Sequence, residues 1–387
     1  MPVARIPEAR NAPVRSACLD PILNVAAALG ASDVHLSAGR VALMRLNGDL
    51  VAVPGQGREL AGDWLESALL GLLGPSKLPE FAAQGEVDLA YSLPGGQRVR
   101  VNVFRQFGGI AAAMRLVPQS LPSLASLGLP DAADHLALRP RGLVLVTGPS
   151  GSGKSTTLAA MIDLVNRQRA GHIVSLEDPI EYLHQSRRCL VHQREIGTDS
   201  QSFASALRHA LRQDPDVVMI GELRDSESIA IAMTAAETGR LVLGTLHTQG
   251  AAKSIDRIID SFPSGQQNQV RAQLGETLQG VISQVLLPRS EASGRVLATE
   301  VLVHTDAVAN LIRAGQVPQL QTVMQTSSKQ GMHTLDQSLQ SLVGRGLVHR
   351  GVAQEYASDQ AALAAVIVGH VAPVGVGWPP AESRKGA

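Results

Sequence analysis

The apolar run at 142–147, "GLVLVT", leads directly into "GPSGSGKST" at 148–156 and then into the helix-forming stretch "TLAAMIDLV". This order of strand, glycine loop, lysine and helix constrains the fold more than any other stretch of the chain. Gly148, Gly153, Lys154 and Ser155 carry the spacing G-x4-G-K-S, which is the full P-loop pattern. Glycines let backbone N–H groups converge on phosphate oxygens, and the following helix turns its positive end toward them. The expected nucleotide-binding loop is therefore Gly148, Pro149, Ser150, Gly151, Ser152, Gly153, Lys154, Ser155 and Thr156. Lys154 is expected to reach the β- and γ-phosphates of ATP, and the Ser155 hydroxyl to ligate Mg²⁺. The whole chain has only five lysines, so one at this position is hard to ascribe to composition.

A strand that feeds a P-loop needs a parallel sheet around it, and the pattern from about Asp131 supplies one. Apolar runs "GLVLVT", "HIVSLE", "DVVMIGE" and "LVLGTLHT" alternate with helical stretches. Continuous apolar strands of this kind are covered on both faces. The expected organisation is a leader at 1–18, an N-terminal α+β domain at 19–118, a Pro- and Ser-containing linker at 119–130 and an α/β core at 131–290. A C-terminal region at 291–362 and a tail at 363–387 complete the chain.

In the N-terminal domain, "LDPILNVAAALGASD" predicts a helix with Asp20 as N-cap, Pro21 in the first turn and Gly30 as the stop. "VALMRLNGDLVAV" predicts a hairpin at Asn47-Gly48. A second helix is expected around Trp64 to Leu73. The runs "EVDLAYS", "RVRVNVF" and "IAAAMRLV" read as strands of an antiparallel sheet. Beyond Pro288, "RVLATEVLVH" reads as a last strand pair, followed by helices to about Ala362.

Composition excludes several classes. Apolar residues make up 44% of the 387, a globular proportion. Lys+Arg and Asp+Glu balance at 34 each, and aromatics are 3%, so neither a basic field nor stacking platforms favour nucleic acid. Cys18 and Cys189 are too far apart for a CxxC pair. His184, Cys189 and His192 have only rough ligand spacing and are not expected to hold a metal. The N-terminus lacks the apolar core of a secretory signal. "AALAAVIVGHVAPVGVGW" is interrupted by His370, Pro373 and glycines and reads as a helix end with a loose tail, not a membrane span. A reduced, cytoplasmic compartment fits this usage.

Hydrolysis needs carboxylates near the loop. "DVVMIGELRD" is an apolar strand that ends at Glu222, placed to orient and deprotonate a water. Gly221 stands where a strand-end Asp commonly supports Mg²⁺, so Glu177 of "SLEDPIE" is expected to share the metal with Ser155 and is the next catalytic candidate after Glu222; Asp178 and Glu181 lie close by. His247 of "TLHT" is expected to sense the γ-phosphate and couple hydrolysis to movement.

In the order "GPSGSGKSTT", "SLEDPIE", "RHALRQDPDVVMIGELRD" and "AAETGRLVLGTLHT", the chain strongly resembles the secretion ATPase superfamily. There these segments are called Walker A, the Asp box, an atypical Walker B and the His box. "ASDVHLSAGR", "RVNVF", "KSIDRIIDSFP" and "GMHTLDQSLQSLV" look like its PilT branch, the retraction motors of type IV pili. The resemblance implies a PAS-like N-terminal domain over a RecA-like P-loop ATPase domain and a helical C-terminal region. It also implies a homo-hexameric ring and arginines sent from the N-terminal domain to the phosphates, here Arg100 and Arg115, with Arg98 nearby. The implied partners are an inner-membrane pilus platform protein and a second pilus ATPase. The implied location is cytoplasmic, peripheral at the inner membrane.

Three departures bear on output. Gly239-Arg240 replaces the usual Gly-His of the His box, and Gly108 falls where one family arginine stands, with Arg105 three residues away. The retraction-linked "AIRNLIRE" is here "AVANLIRA" at 307–314. Val308, Leu311 and Ile312 should share one helix face while Arg313 projects away from it. Two alternatives stay open beside an active retraction motor. One is an accessory nucleotide-binding ring subunit; the other is the motor of a related secretion or conjugation system.

Overall fold

The computed structural model describes residues 18–46, 48–117, 121–291 and 294–360. The expected leader through residue 17, Asn47 of the hairpin and the apolar C-terminal tail lie outside the described residues.

The N-terminal unit comprises α1 (Asp20–Ala28), β1 (Asp33–Ser37), β2 (Leu43–Leu46), β3 (Asp49–Ala52), α2 (Gly62–Gln84), β4 (Glu86–Ser92), β5 (Arg98–Gln106) and β6 (Gly109–Leu116). Its strands form one antiparallel sheet in the order β3-β2-β1-β6-β5-β4. Leu46 pairs with Asp49, so the hairpin closes on Gly48 at φ +100. Alternation along β5 buries Val99, Val101 and Val103 against the helices, which leaves Arg98 and Arg100 on the opposite face.

Two local expectations differ from the structure, and one strand left no mark in the sequence. Leu19 occupies the N-cap of α1, and Asp20 is its first residue, buried and accepting a hydrogen bond from the Tyr91 hydroxyl. The second helix continues to Gln84 after a break at Gly74, whose φ of +62 is non-helical, and it includes Pro75 and Pro79. A proline just after a break sits in a first turn, where its missing N–H costs nothing. The central strand β1 went unnamed in the sequence because only Val34 and Leu36 mark its five residues as buried.

The second unit comprises α3 (Ala132–Ala137), β7 (Gly142–Thr147), α4 (Lys154–Gln168), β8 (Gly171–Glu177), β9 (Cys189–Glu195), α5 (Phe203–Ala210), β10 (Val217–Ile220), α6 (Ser226–Glu237) and β11 (Leu241–Leu246). It continues through α7 (Ala251–Asp260), α8 (Gln267–Thr277), β12 (Leu278–Pro288), β13 (Arg295–Val303), α9 (Asp306–Arg313), α10 (Leu320–Thr326), α11 (Leu335–Gly344) and α12 (Arg350–Tyr356). The strand order is β13-β12-β7-β11-β10-β8-β9. All pairs are parallel except β12 with β13. Every residue of β7, β10 and β11 is buried, as a sheet covered on both faces requires. This is the expected α/β, RecA-like architecture.

"RVLATEVLVH" supplies one strand, β13, and not a pair; its partner is β12. The seven-stranded sheet therefore crosses position 290/291, where the core was expected to end. The parallel edge strand β9 was also unnamed, since Leu190 is exposed and the strand lacks an unbroken apolar run.

The two units meet beside the glycine loop. Val117, Ala159 and Tyr182 form a small buried cluster across the junction. Arg98 pairs with Glu195 at 2.7 Å and Arg100 with Glu181 at 2.8 Å.

Candidate functional site

The loop at 148–153 holds a shape that only glycine tolerates at its key points. Gly148 has φ +143, and a Cβ there would lie 2.3 Å from the carbonyl oxygen of Gln284. Gly151 and Gly153 have φ of +77 and +89. Gln284 braces the loop from β12: its Nε2 donates to the Ser152 carbonyl at 2.7 Å, and its Oε1 accepts from Thr157 at 3.1 Å. Lys154 is buried at the first turn of α4, with Nζ donating to the carbonyls of Gly148 at 2.8 Å and Pro149 at 2.9 Å. Burial lowers its pKa, while Glu222 and Glu181 work against that shift.

From Lys154 a chain of four side chains crosses the ends of the parallel strands. Lys154 Nζ lies 3.4 Å from His247 Nδ1, and His247 Nε2 lies 3.2 Å from Glu222 Oε1. Glu222 Oε2 lies 2.8 Å from Arg224 Nη2. An ammonium only donates, so His247 Nδ1 accepts and its proton sits on Nε2, facing Glu222. Burial acts to raise the Glu222 pKa, but the hydrogen bond and charge of Arg224, followed by His247, outweigh it and hold the carboxyl below its ordinary value. Asp225 next in sequence caps α6, accepting from the Ser228 backbone at 2.7 Å and fixing where this loop ends.

Glu177 is almost fully buried at the end of β8. It accepts from Ser175 Oγ at 2.7 Å, Gln193 Nε2 at 3.0 Å and the Glu181 amide at 3.4 Å. Burial raises its pKa against those hydrogen bonds. Gly221 is explained by space: a Cβ would come within 3.2 Å of the Leu176 carbonyl, so a side chain there would crowd β8.

These groups line one cleft of about 630 Å³, which takes in Lys154, Ser155, Thr156, Glu177, Glu222, His247, Arg100 and Arg115. Arg100 and Arg115 are cross-strand partners on β5 and β6. Their guanidiniums are held by carboxylates, Arg100 by Glu181 and Arg115 by Asp33 at 3.1 Å. Tyr182, which bonds Thr156 Oγ1 at 3.0 Å, Gln193, Arg224 and Gln284 were not picked out in the sequence. Only Arg224 left a signal there, as a cation two residues past Glu222 on the same short loop.

The carboxylates and the Ser155 hydroxyl on this cleft are hard oxygen donors of the kind Mg²⁺ takes. Among the described residues no three His, Cys, Asp or Glu side chains gather as a self-sufficient metal site. His192 pairs with His172 at 2.9 Å, and the Cys189 thiol donates to the Arg169 carbonyl at 3.1 Å.

A P-loop on a RecA-like sheet, with an acid and a histidine beside its lysine, defines the class as a P-loop NTPase fold. Residues 8–356 match the family of type II/IV secretion system proteins. The chain belongs to that family, in its PilT-type branch. It is 45% identical to the type IV pilus retraction ATPase PilT of Pseudomonas aeruginosa over 338 residues, covering 87% of this chain and 97% of that protein. It is 43% identical to a twitching motility protein of Neisseria gonorrhoeae, covering 90% and 93%. The crystal structure of the pilus retraction motor PilT with bound ADP superimposes with a TM-score of 0.82 at 44% identity, covering 88% of this chain and 97% of that one.

Proposed function

We propose that this protein is an ATPase that converts hydrolysis into mechanical work and drives type IV pilus retraction. The observation that carries the reading is the Lys154–His247–Glu222–Arg224 chain beside the P-loop. Its support from outside the chain is the 45% identity to PilT over 97% of that protein's length.

In this reading the loop amides and Lys154 bind the phosphates of ATP, and Glu222 orients the attacking water and takes its proton. His247 faces both Lys154 and Glu222, so a change at the γ-phosphate position reaches Glu222 through one side chain. Arg224 keeps Glu222 ionised and aligned. Mg²⁺, when bound, neutralises phosphate charge; Ser155 and Glu177 are the residues we assign to hold it. Arg100 and Arg115 leave their carboxylate partners as the domains close and add positive charge where the transition state develops negative charge.

A homo-hexameric ring, the pilus platform partner and a position at the inner face of the membrane belong to the same proposal. The family resemblance and the neutral overall charge support them. Among the described residues no helix is long and apolar enough to cross a membrane. The chain is also 40% identical to a second pilus ATPase, PilU of Pseudomonas aeruginosa, over 84% of this chain, and an accessory role stays the alternative.

Two measurements test the reading together. Purified protein should hydrolyse ATP in a Mg²⁺-dependent manner, and its expression should restore twitching to a piliated strain that lacks its own retraction motor. Hydrolysis without restored twitching would favour the accessory role or another secretion machine.

A further inference from the structure

Glu300 of β13 ties the start of α7, just after His247, to the start of the C-terminal helix α11. Helix α7 begins at Ala251, and no side chain at its N-cap, Gly250, satisfies its first amides. Two side chains from the neighbouring strands do so instead. Ser283 and Glu300 are direct cross-strand partners on β12 and β13. Ser283 Oγ accepts from the Gly250 amide at 2.8 Å, and Glu300 Oε1 accepts from the Ala251 amide at 2.7 Å. Gly250 has φ +94, and a Cβ there would stand 3.4 Å from Glu300 Oε1.

The other oxygen of Glu300 faces a different helix. Oε2 accepts from the amide of Leu335, the first residue of α11, at 3.4 Å. The capping box of α11, Thr334 with Gln337, serves the amides of those two residues, so the Leu335 amide needs an acceptor from outside the helix. One carboxylate thus joins the starts of α7 and α11, and α7 starts four residues after His247. A second tie runs back to the loop: Ser254 Oγ bonds Thr248 Oγ1 at 2.7 Å and Thr147 Oγ1 at 3.3 Å, and Thr147 is the residue just before Gly148.

We infer that Glu300 is a positioning residue that transmits the state of the nucleotide site to the C-terminal helices by holding the α7 and α11 N-termini in register. This rests on the ATPase reading above and adds to it a route for output. Both carboxylate oxygens are needed: a glutamine can accept from only one of the two amides and would turn an N–H₂ group toward the other. Glu300 touches none of the loop, acid or histidine side chains of the cleft, so its loss should leave hydrolysis largely intact while the two helices respond separately.

Hydrogen exchange of the full chain with ADP and with a non-hydrolysable ATP analogue tests this, read at the amides of 248–252 and 335–338. In the unaltered protein both segments should differ between the two nucleotides. In Glu300→Gln the first should still differ, while the difference at 335–338 falls by about fivefold or more, the lower range of a site-to-site coupling. Leu335→Pro is the second variant. It removes the same amide at a first helical position that tolerates proline, after Thr334, whose ψ of 163° is the extended value a pre-proline residue needs. It should reproduce the loss.

Equal nucleotide responses at 335–338 in Glu300→Gln and the unaltered protein would overturn the inference. No response there in the unaltered protein would overturn it too, and so would failure of both variants to fold, which would make Glu300 a cap and nothing more. ATP turnover of the unaltered protein is measured in parallel. Its absence would refute the ATPase reading, whereas turnover with undisturbed coupling in the variants would refute only the role of Glu300.

Discussion

Arg100 of the N-terminal sheet and Glu181 of the nucleotide domain form a 2.8 Å ion pair across the domain junction, each side chain about a third exposed. Pairs so exposed contribute about 0–1 kcal/mol, so this one has little to do with holding the fold. It keeps a guanidinium beside the cleft. Arg100→Ala should therefore change stability by less than about 1 kcal/mol. On the proposed role of Arg100, a phosphate contact made chiefly in the transition state, the substitution should lower kcat by roughly 10²-fold with a smaller effect on KM. Thermal melting and steady-state kinetics on one preparation separate the two effects; a KM effect alone would place Arg100 in ground-state binding.

Arg224 makes a prediction about pH. In the intact site Arg224 and His247 hold the Glu222 carboxyl below its ordinary value against the opposing effect of burial. Arg224→Ala removes the larger of the two influences that oppose burial, so the carboxyl should protonate at higher pH than before. The acid limb of the kcat profile should then move to higher pH, with activity failing sooner as pH falls. An acid limb that does not move would mean that a group other than Glu222 titrates in it.

The glycine loop predicts a loss that no neighbouring side chain can relieve. Gly148→Ala would set a Cβ 2.3 Å from a backbone carbonyl in β12, at a positive φ. The loop must shift, and nucleotide binding should fall below detection in a fluorescent-nucleotide titration. Gln284→Ala removes a brace without that clash and should weaken binding less, since about 1 kcal/mol is typical of a hydrogen bond.

How much of this site was legible in the sequence depended on how local each contact is. The P-loop, Glu222 and His247 announce themselves because each ends an apolar strand, and the strand ends are where a parallel sheet gathers ligands. Val308, Leu311 and Ile312 do lie toward the core on α9, as their spacing predicted. Gln284 and Glu300 were silent. Their partners lie 132 residues away at Ser152 and 35 residues away at Leu335, and a lone polar residue in a strand carries no mark of what it will meet. β1 and β9 were missed for a related reason: neighbouring strands make them strands, and their own residues hardly do.

Arg313 addresses output. It is exposed at the end of α9, bonded to Asn310 Oδ1 at 2.5 Å, with its stem over Gly275 of α8. It touches nothing in the cleft. Arg313→Ala should change stability by no more than about 0.5 kcal/mol and leave ATP turnover near its original rate, while twitching is lost. If turnover and twitching fall in proportion, α9 is part of the hydrolytic engine and the separation of engine from output is wrong.

The most direct test of the account is Glu222→Gln, measured for ATP binding and ATP turnover on the same protein. Removing a positioned base costs about 10²–10⁴-fold, and glutamine keeps the shape of the side chain and its place between His247 and Arg224. Binding should persist near its original affinity, while turnover falls by that factor. Turnover that survives the substitution would contradict the assignment of Glu222 and move the catalytic role to Glu177.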